Sequence, residues 1–219
     1  MPNVLITGGN RGIGLELCRQ FARRGDRVIA TCRDPSPELH ASGAEIQAGV
    51  EVTDQASVDA LSERLRDESI DILVNCAGIL SNEPLDGLDF DRIRRQFEVN
   101  ALGPLRITST LRSSLHSGSR VFIITSRMGS IEDNTSGGMY GYRMSKAAVN
   151  AVGRSLAHDL RAEGIGVFLL HPGMVATDMT GRKGVPPEKS AANLIHRIDA
   201  LTMDQSGSFW HAEGTVLPW

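Results

Sequence analysis

The chain has 219 residues, and its 23 Lys and Arg stand against 26 Asp and Glu, so the formal net charge of -3 is carried by both signs interspersed. That length can bury one good core, and residues 1–219 are expected to form a single α/β domain. The charge balance offers no nucleic-acid or membrane surface, and no stretch approaches the about 18 apolar residues of a membrane span. Three cysteines, Cys18, Cys32 and Cys76, lack Cys-x-x-Cys spacing and fall inside periodic segments. They read as buried reduced thiols in a cytoplasmic protein.

Val4-Leu5-Ile6-Thr7 is an apolar run that ends in Gly8-Gly9-Asn10-Arg11-Gly12-Ile13-Gly14. An amphipathic segment with Leu15, Leu17, Cys18, Phe21 and Ala22 follows, so the order is strand, glycine turn, helix. Glycines at 8, 12 and 14 allow a tight turn and close backbone approach, while the helix start offers unpaired N–H groups to a pyrophosphate. Gly25, behind Arg23 and Arg24, reads as a helix C-cap.

Arg27–Thr31 reads as the second strand, with Cys32-Arg33-Asp34-Pro35 as the turn that leaves it. A third strand around Ala44–Val50 leads into Glu51-Val52-Thr53-Asp54, where Thr53 or Asp54 can cap a helix carrying Val58, Leu61 and Leu65. Ile70–Asn75 is nearly continuous in apolar residues, as a strand covered on both faces must be, and it ends in Cys76-Ala77-Gly78. From Asp89 to Leu115 the spacing predicts a long helix, with Arg92, Arg94 and Arg95 on a solvated face and an interruption at Gly103-Pro104. Pro104 has no N–H for the Asn100 carbonyl, which is left free beside a kink.

Val121–Thr125 is the fifth strand, ending at Ser126, and a loop rich in Gly, Ser and Asn runs on through Gly141. The next helix opens with Tyr142 and Lys146, four residues apart on one face, and Gly164 stops it. A fixed ammonium near a phenol favours phenolate and makes the phenol a better proton donor near neutrality, so Tyr142 is a candidate acid–base residue. Tyr140 has Met144 at the same offset and lacks that partner. Ile165–Leu170 is the sixth strand, with His171-Pro172-Gly173-Met174-Val175-Ala176-Thr177 turning at its carboxyl end. Thr180–Pro187 reads as a lid, and a helix near Glu188–Met203 and a strand near Gly207–Trp210 complete the pattern.

Thr7-Gly8-x-x-x-Gly12-Ile13-Gly14, Asn75-Cys76-Ala77-Gly78, Asn100, Ser126, Tyr142-x-x-x-Lys146 and Pro172-Gly173-x-x-x-Thr177 occur in this order over nearly the whole chain. Together they resemble the short-chain dehydrogenase/reductase family, and Ser126-Arg127-Met128-Gly129-Ser130-Ile131 with the Leu217-Pro218-Trp219 end is most similar to the C-factor and sniffer type of NADP-dependent carbonyl reductase. The resemblance implies a Rossmann-like, doubly wound parallel sheet of about seven strands with the site at its carboxyl edge. It also implies hydride transfer between NADP(H) and a small carbonyl or alcohol substrate. Tyr142 would be the proton donor, Lys146 would tune it and hold the nicotinamide ribose, and Ser126 would bind the carbonyl oxygen. Asn100, through its freed main-chain carbonyl, would hold a water leading protons to Lys146. Asn75, Ala77 and Gly78 would shape the cofactor cleft, Val52 beside Glu51 would meet the adenine, and Pro172, Gly173, Val175 and Thr177 would meet the nicotinamide. The resemblance further implies a homo-oligomer that pairs the helices at 90–115 and 142–163.

Two choices stay open. Ser126 lies 16 residues before Tyr142, a long gap that leaves Ser130 as its competitor, although Ser126 sits directly at a strand end. An NAD enzyme needs a carboxylate at the end of the second strand, where this chain has Cys32 followed by Arg33, and Arg33 with Arg11 suits a 2′-phosphate. Asp34, 20 residues after Gly14, keeps NAD in competition. Other activities fare worse. No Gly-x-Ser-x-Gly elbow serves a serine hydrolase, and the six histidines, scattered without ligand spacing and read as surface or loop residues, hold no metal. A non-catalytic NADP(H)-binding signalling or redox-sensing protein is the serious alternative, but a pure binder has no need of a tuned phenol.

Overall fold

The apolar runs of the sequence pair side by side. The computed structural model describes Met1–Trp219 and begins with β1 (Asn3–Thr7), α1 (Gly12–Arg24), β2 (Arg27–Thr31), α2 (Pro37–His40), β3 (Glu45–Gln47), α3 (Gln55–Arg64) and β4 (Ile70–Asn75). It continues with α4 (Phe90–Phe97), α5 (Gly103–Thr110), β5 (Leu115–Ile124), α6 (Tyr140–Asp159), β6 (Gly166–His171), α7 (Pro187–Ala200) and β7 (Phe209–His211). The strands form one sheet in the order β3-β2-β1-β4-β5-β6-β7, and every pairing is parallel. The order reverses between β1 and β4, and a crevice opens there outside the carboxyl ends of the strands.

Period-two alternation sends strand side chains to both faces. Leu5, Ile29, Leu73, Val121 and Val167 pack with Leu61 of α3, Ile107 of α5 and Val149 of α6. Ile6, Val28, Val74, Phe122 and Phe168 pack with Leu17 and Phe21 of α1 and with Leu194 and Ile198 of α7. This double cover is why the strands read as unbroken apolar runs. No helix is long and apolar enough to cross a membrane, and all three cysteines are free.

Chain ends of the elements follow local chemistry. Gly25 closes α1 in the left-handed region at φ 95°, and the Asp54 carboxylate accepts from the Ala56 N–H at 3.2 Å to start α3. The long helix expected from Asp89 divides in two. Between α4 and α5 the chain widens into a π segment, Glu98–Leu102, in which the Gly103 N–H bonds the Glu98 carbonyl. The proline that cannot serve the Asn100 carbonyl thus produces a π-bulge rather than a simple kink. The strands also depart from expectation: β5 starts at Leu115, six residues before its expected start and where the helix was expected to end, β3 keeps three residues, and β7 runs two residues later than its expected start.

Candidate active site

Ser126, Tyr142, Lys146 and Asn100 converge at the carboxyl edge from three places: the end of β5, the first turns of α6 and the π segment after α4. Ser126 follows β5 and caps a single 3₁₀ turn, Arg127–Gly129, accepting from the Met128 N–H at 3.1 Å. Its hydroxyl lies beside that of Tyr142 and eases the phenol's ionisation; Tyr142 is 8% exposed in the first turn of α6. Ser130, the competing serine, is engaged elsewhere: its hydroxyl donates to the Trp219 main-chain oxygen at 3.0 Å and accepts from the Asp133 N–H at 3.0 Å.

One turn along α6, the Lys146 Nζ donates to the Ile124 carbonyl at 3.0 Å and lies 5.7 Å from the centre of the Tyr142 ring. Burial dominates both groups. It pushes the Tyr142 phenol up to about 12, against the smaller effect of the Ser126 hydroxyl, and pushes the Lys146 ammonium down to about 8. The phenol therefore stands above its ordinary value, not below it as its spacing from Lys146 would suggest, because desolvation opposes the charged form of each group. Tyr142 is held as a neutral phenol, able to give a proton.

Asn100 sits in the π segment, and its side chain is engaged by the protein. Its Oδ1 accepts from the Ile79 N–H at 2.8 Å, and its Nδ2 donates to the Ile79 carbonyl at 2.8 Å and to Ser145 Oγ at 3.0 Å. Ser145 in turn donates to the Tyr142 carbonyl at 2.8 Å. Asn100 thus ties the segment after β4 to the first turn of α6. A Cβ on Gly78 would stand 3.4 Å from Asn100 Oδ1 and 3.9 Å from Lys146 Nζ, so this glycine leaves open the space between them.

The other expected residues lie along the same edge. The N-terminus of α1 carries no side-chain cap and no acidic residue in its first turn, so its N–H groups stay available to an anion. A Cβ on Gly14 would stand 2.3 Å from the Gly8 carbonyl oxygen, which only a glycine permits. The Thr177 methyl reaches across from the turn after β6 to 3.2 Å from where a Gly12 Cβ would be. Pro172 is tied to α7 through Ser190 Oγ, which donates to its carbonyl at 2.9 Å, and Gly173 follows with a φ of 83°. Val175, 3% exposed, bridges to Val185. Val52, Asn75 and Ala77 pack close together beside Val99 and Ile107. Asn75 directs its Nδ2 to Thr108 at 3.1 Å, holding the sheet to α5.

Two residues expected to face a cofactor have protein partners. Asn10 accepts through Oδ1 from the Ser36 N–H at 2.6 Å, and its carbonyl accepts from Ser36 Oγ at 3.0 Å, fastening the loop after β2 to the glycine turn. Arg33 pairs with Glu51 at 3.6 Å while its side chain stays 66% exposed. Glu51 is also held by Arg95 at 3.2 Å, so Arg95 is not simply a solvated charge. His171 departs from the surface or loop position expected of it. It packs edge-on against His211 with ring centres 5.0 Å apart, and burial, with the charges of His211, Arg127 and Lys146, lowers it to about 3. Thr7 has a role that its place in the glycine-turn pattern does not announce: its Oγ1 accepts from the N–H groups of Cys76 at 3.0 Å and Ala77 at 3.2 Å, locking the ends of β1 and β4 together.

Comparison with known proteins agrees with this edge. The description "short chain dehydrogenase" matches residues 2–186. The 1-hydroxy-2-glutathionyl-2-methyl-3-butene dehydrogenase of Rhodococcus sp. (strain AD45) is 47% identical over 226 residues, covering 100% of both chains. C-signal of Myxococcus xanthus is 46% identical over 154 residues, 68% of this chain and 93% of that one. Among solved structures, an NADPH-bound carbonyl reductase from chicken fatty liver superposes with a TM-score of 0.91 at 30% identity, over 100% of this chain and 99% of that one. With a family match over most of its length and a full-length relative that close, this chain belongs to the short-chain dehydrogenase/reductase family of oxidoreductases.

Proposed function

We propose that Tyr142 is the acid–base residue of an NADP(H)-dependent carbonyl reductase or alcohol dehydrogenase, with Ser126, Lys146 and Asn100 as its partners. The observation that carries this reading is the buried Tyr142 phenol, kept protonated at neutral pH and set beside the Ser126 hydroxyl. A carbonyl oxygen lying between these two hydroxyls would accept a hydrogen bond from each, and the phenol proton would pass to it as negative charge develops. Lys146, one helical turn away, would stabilise the phenolate left behind. In the reverse direction the same phenolate would take the alcohol proton. Asn100 holds Ile79 and Ser145, and so keeps the space beside Gly78 and Lys146 in shape for a proton path.

NADP(H) supplies or accepts the hydride. The residues here fit it: the uncapped α1 N-terminus suits the pyrophosphate, and the end of β2 presents Cys32 and Arg33 where an NAD enzyme would need a carboxylate. Val52 would border the adenine, and Pro172, Gly173, Val175 and Thr177 the nicotinamide. The relatives support these assignments, since the chicken and Burkholderia multivorans structures are described with NADPH and NADP bound.

The substrate is a small carbonyl or alcohol. The Rhodococcus relative is named for a substrate carrying a hydroxyl and a glutathionyl group, so such an alcohol belongs in the assay beside simple ketones and aldehydes. We also read the chain as a cytoplasmic homo-oligomer that pairs through α4, α5 and α6, where Phe90, Phe97, Leu105 and Met144 are 60%, 39%, 37% and 55% exposed. The deciding experiment is Tyr142→Phe, which removes the proton donor and little volume. NADPH-dependent carbonyl reduction should fall at least ~10²-fold with NADPH binding retained, and an unchanged rate would end the acid–base reading in favour of a binding protein.

A further inference from the structure

We propose that Arg143 is a positioning residue that clasps the loop over the active site and, through Met128, sets the orientation of Ser126. The loop from Arg127 to Met139 leaves β5 at Ser126 and returns to α6 beside Tyr142. Arg143, the next residue, reaches both of its limbs: Nη1 donates to the Met128 carbonyl at 3.4 Å, Nη2 to Ser136 Oγ at 2.8 Å and Nε to the Gly137 carbonyl at 3.3 Å. Met128 is thereby held at both ends, because its N–H donates to Ser126 Oγ at 3.1 Å. That bond occupies a lone pair of Ser126 and leaves its proton to be donated elsewhere.

Local energetics give no other reason for a cation here. Arg143 lies in the first turn of α6, where a positive charge opposes the helix dipole and no acidic residue offsets it. The returning limb is also conformationally costly, since Gly137, Gly138 and Met139 are left-handed in succession at φ of 63°, 65° and 53°. A planar fork with donors in three directions can hold such a limb against the start of the loop, and a lysine cannot.

This inference rests on the role proposed for Ser126, and a double-mutant cycle on kcat separates the two, using any carbonyl that the Tyr142 assay finds turned over. Arg143→Ala should lower kcat about tenfold, the scale of a lost charged hydrogen bond, and leave the Kd for NADPH unchanged. In a Ser126→Ala background the same change should add less than about twofold, because the two residues act as one unit. Arg143→Lys keeps the charge but not the fork, should behave like the alanine variant, and carries the cycle if that variant folds poorly. Losses that multiply in the double mutant, or full activity in Arg143→Lys, would overturn the clasp. A silent Ser126→Ala would instead overturn the serine's role on which the clasp depends.

Discussion

Gly129 lies directly on the backbone of Lys146: a Cβ built on Gly129 would stand 2.6 Å from the Lys146 carbonyl carbon and 2.7 Å from its oxygen. The obstacle is helix backbone and cannot rotate away. Gly129 closes the 3₁₀ turn that Ser126 caps, so this contact sets how closely the serine approaches Tyr142. Gly129→Ala should push the turn off α6 and lower kcat by at least about tenfold, since shifts near 1 Å cost up to ~10²-fold. Wild-type kcat in this variant would show that the contact does not govern the site.

The two candidate serines make different predictions. Ser126→Ala removes the hydroxyl beside Tyr142 and should cost about 10²-fold in kcat, the scale of one lost donor to a developing oxyanion. Ser130→Ala frees the Trp219 oxygen and the Asp133 N–H, so it should loosen the loop and lower the melting temperature while kcat falls much less. Equal kcat losses would mean that the loop, rather than one hydroxyl, sets the rate.

Lys146 gives a pH prediction whose sign follows from its lowered value. With the folded group at about 8 and the ordinary value at 10.5, the native state binds fewer protons than the unfolded chain between those limits. Below about pH 8 the buried charge lowers stability by roughly 3 kcal/mol on the conversion of pKa shift to free energy, and that loss fades as pH rises to about 10.5. Lys146→Met should therefore match or exceed the parent in stability at pH 7, lose activity, and lose its relative stability between pH 8 and 10.5. Carbonyl reduction by the parent should decline above about pH 8 as the ammonium is lost. A reduction rate flat to pH 10 would remove the ammonium from the mechanism.

The legibility of the chain follows the range of the forces involved. Strands β1, β2, β4 and β6 and the Val121–Ile124 part of β5 are covered on both faces, so their apolar runs announce them, whereas the polar Leu115–Arg120 start of β5 and three-residue β3 and β7 at the sheet edges carry too few apolar positions to fix their ends. Pro104 discloses a defect at Asn100 because a missing N–H is a covalent fact, yet only the folded chain shows the Asn100 side chain holding Ile79. Gly129 carries no local signal, since its reason is the Lys146 backbone. The same holds for the pKa values. The Tyr142 and Lys146 spacing is visible in sequence, but the burial that shifts both groups is a property of the assembled core.

The structure narrows the cofactor question at the end of β2. The strand stops at Thr31, so Cys32, 5% exposed, occupies the position where an NAD enzyme needs its carboxylate, and Arg33 follows it. Asn10 fastens Ser36 to the glycine turn, which brings the loop bearing Arg33 beside the turn bearing Arg11. Arg33 meanwhile pairs with Glu51 at 3.6 Å. Burial opposes ionisation of Glu51, but hydrogen bonds from Thr53 and the charges of Arg95 and Arg33 outweigh it and hold the carboxyl below the usual range. A pair this long and exposed contributes little, and Arg95 can hold Glu51 alone, so Arg33 is free to turn to a phosphate dianion. Arg33→Ala should weaken NADPH binding about tenfold or more and barely change NADH binding, as titrations of intrinsic or cofactor fluorescence would read. Equal weakening of both would remove Arg33 from phosphate recognition, and tighter binding of NADH than NADPH by the parent protein would overturn the cofactor assignment itself.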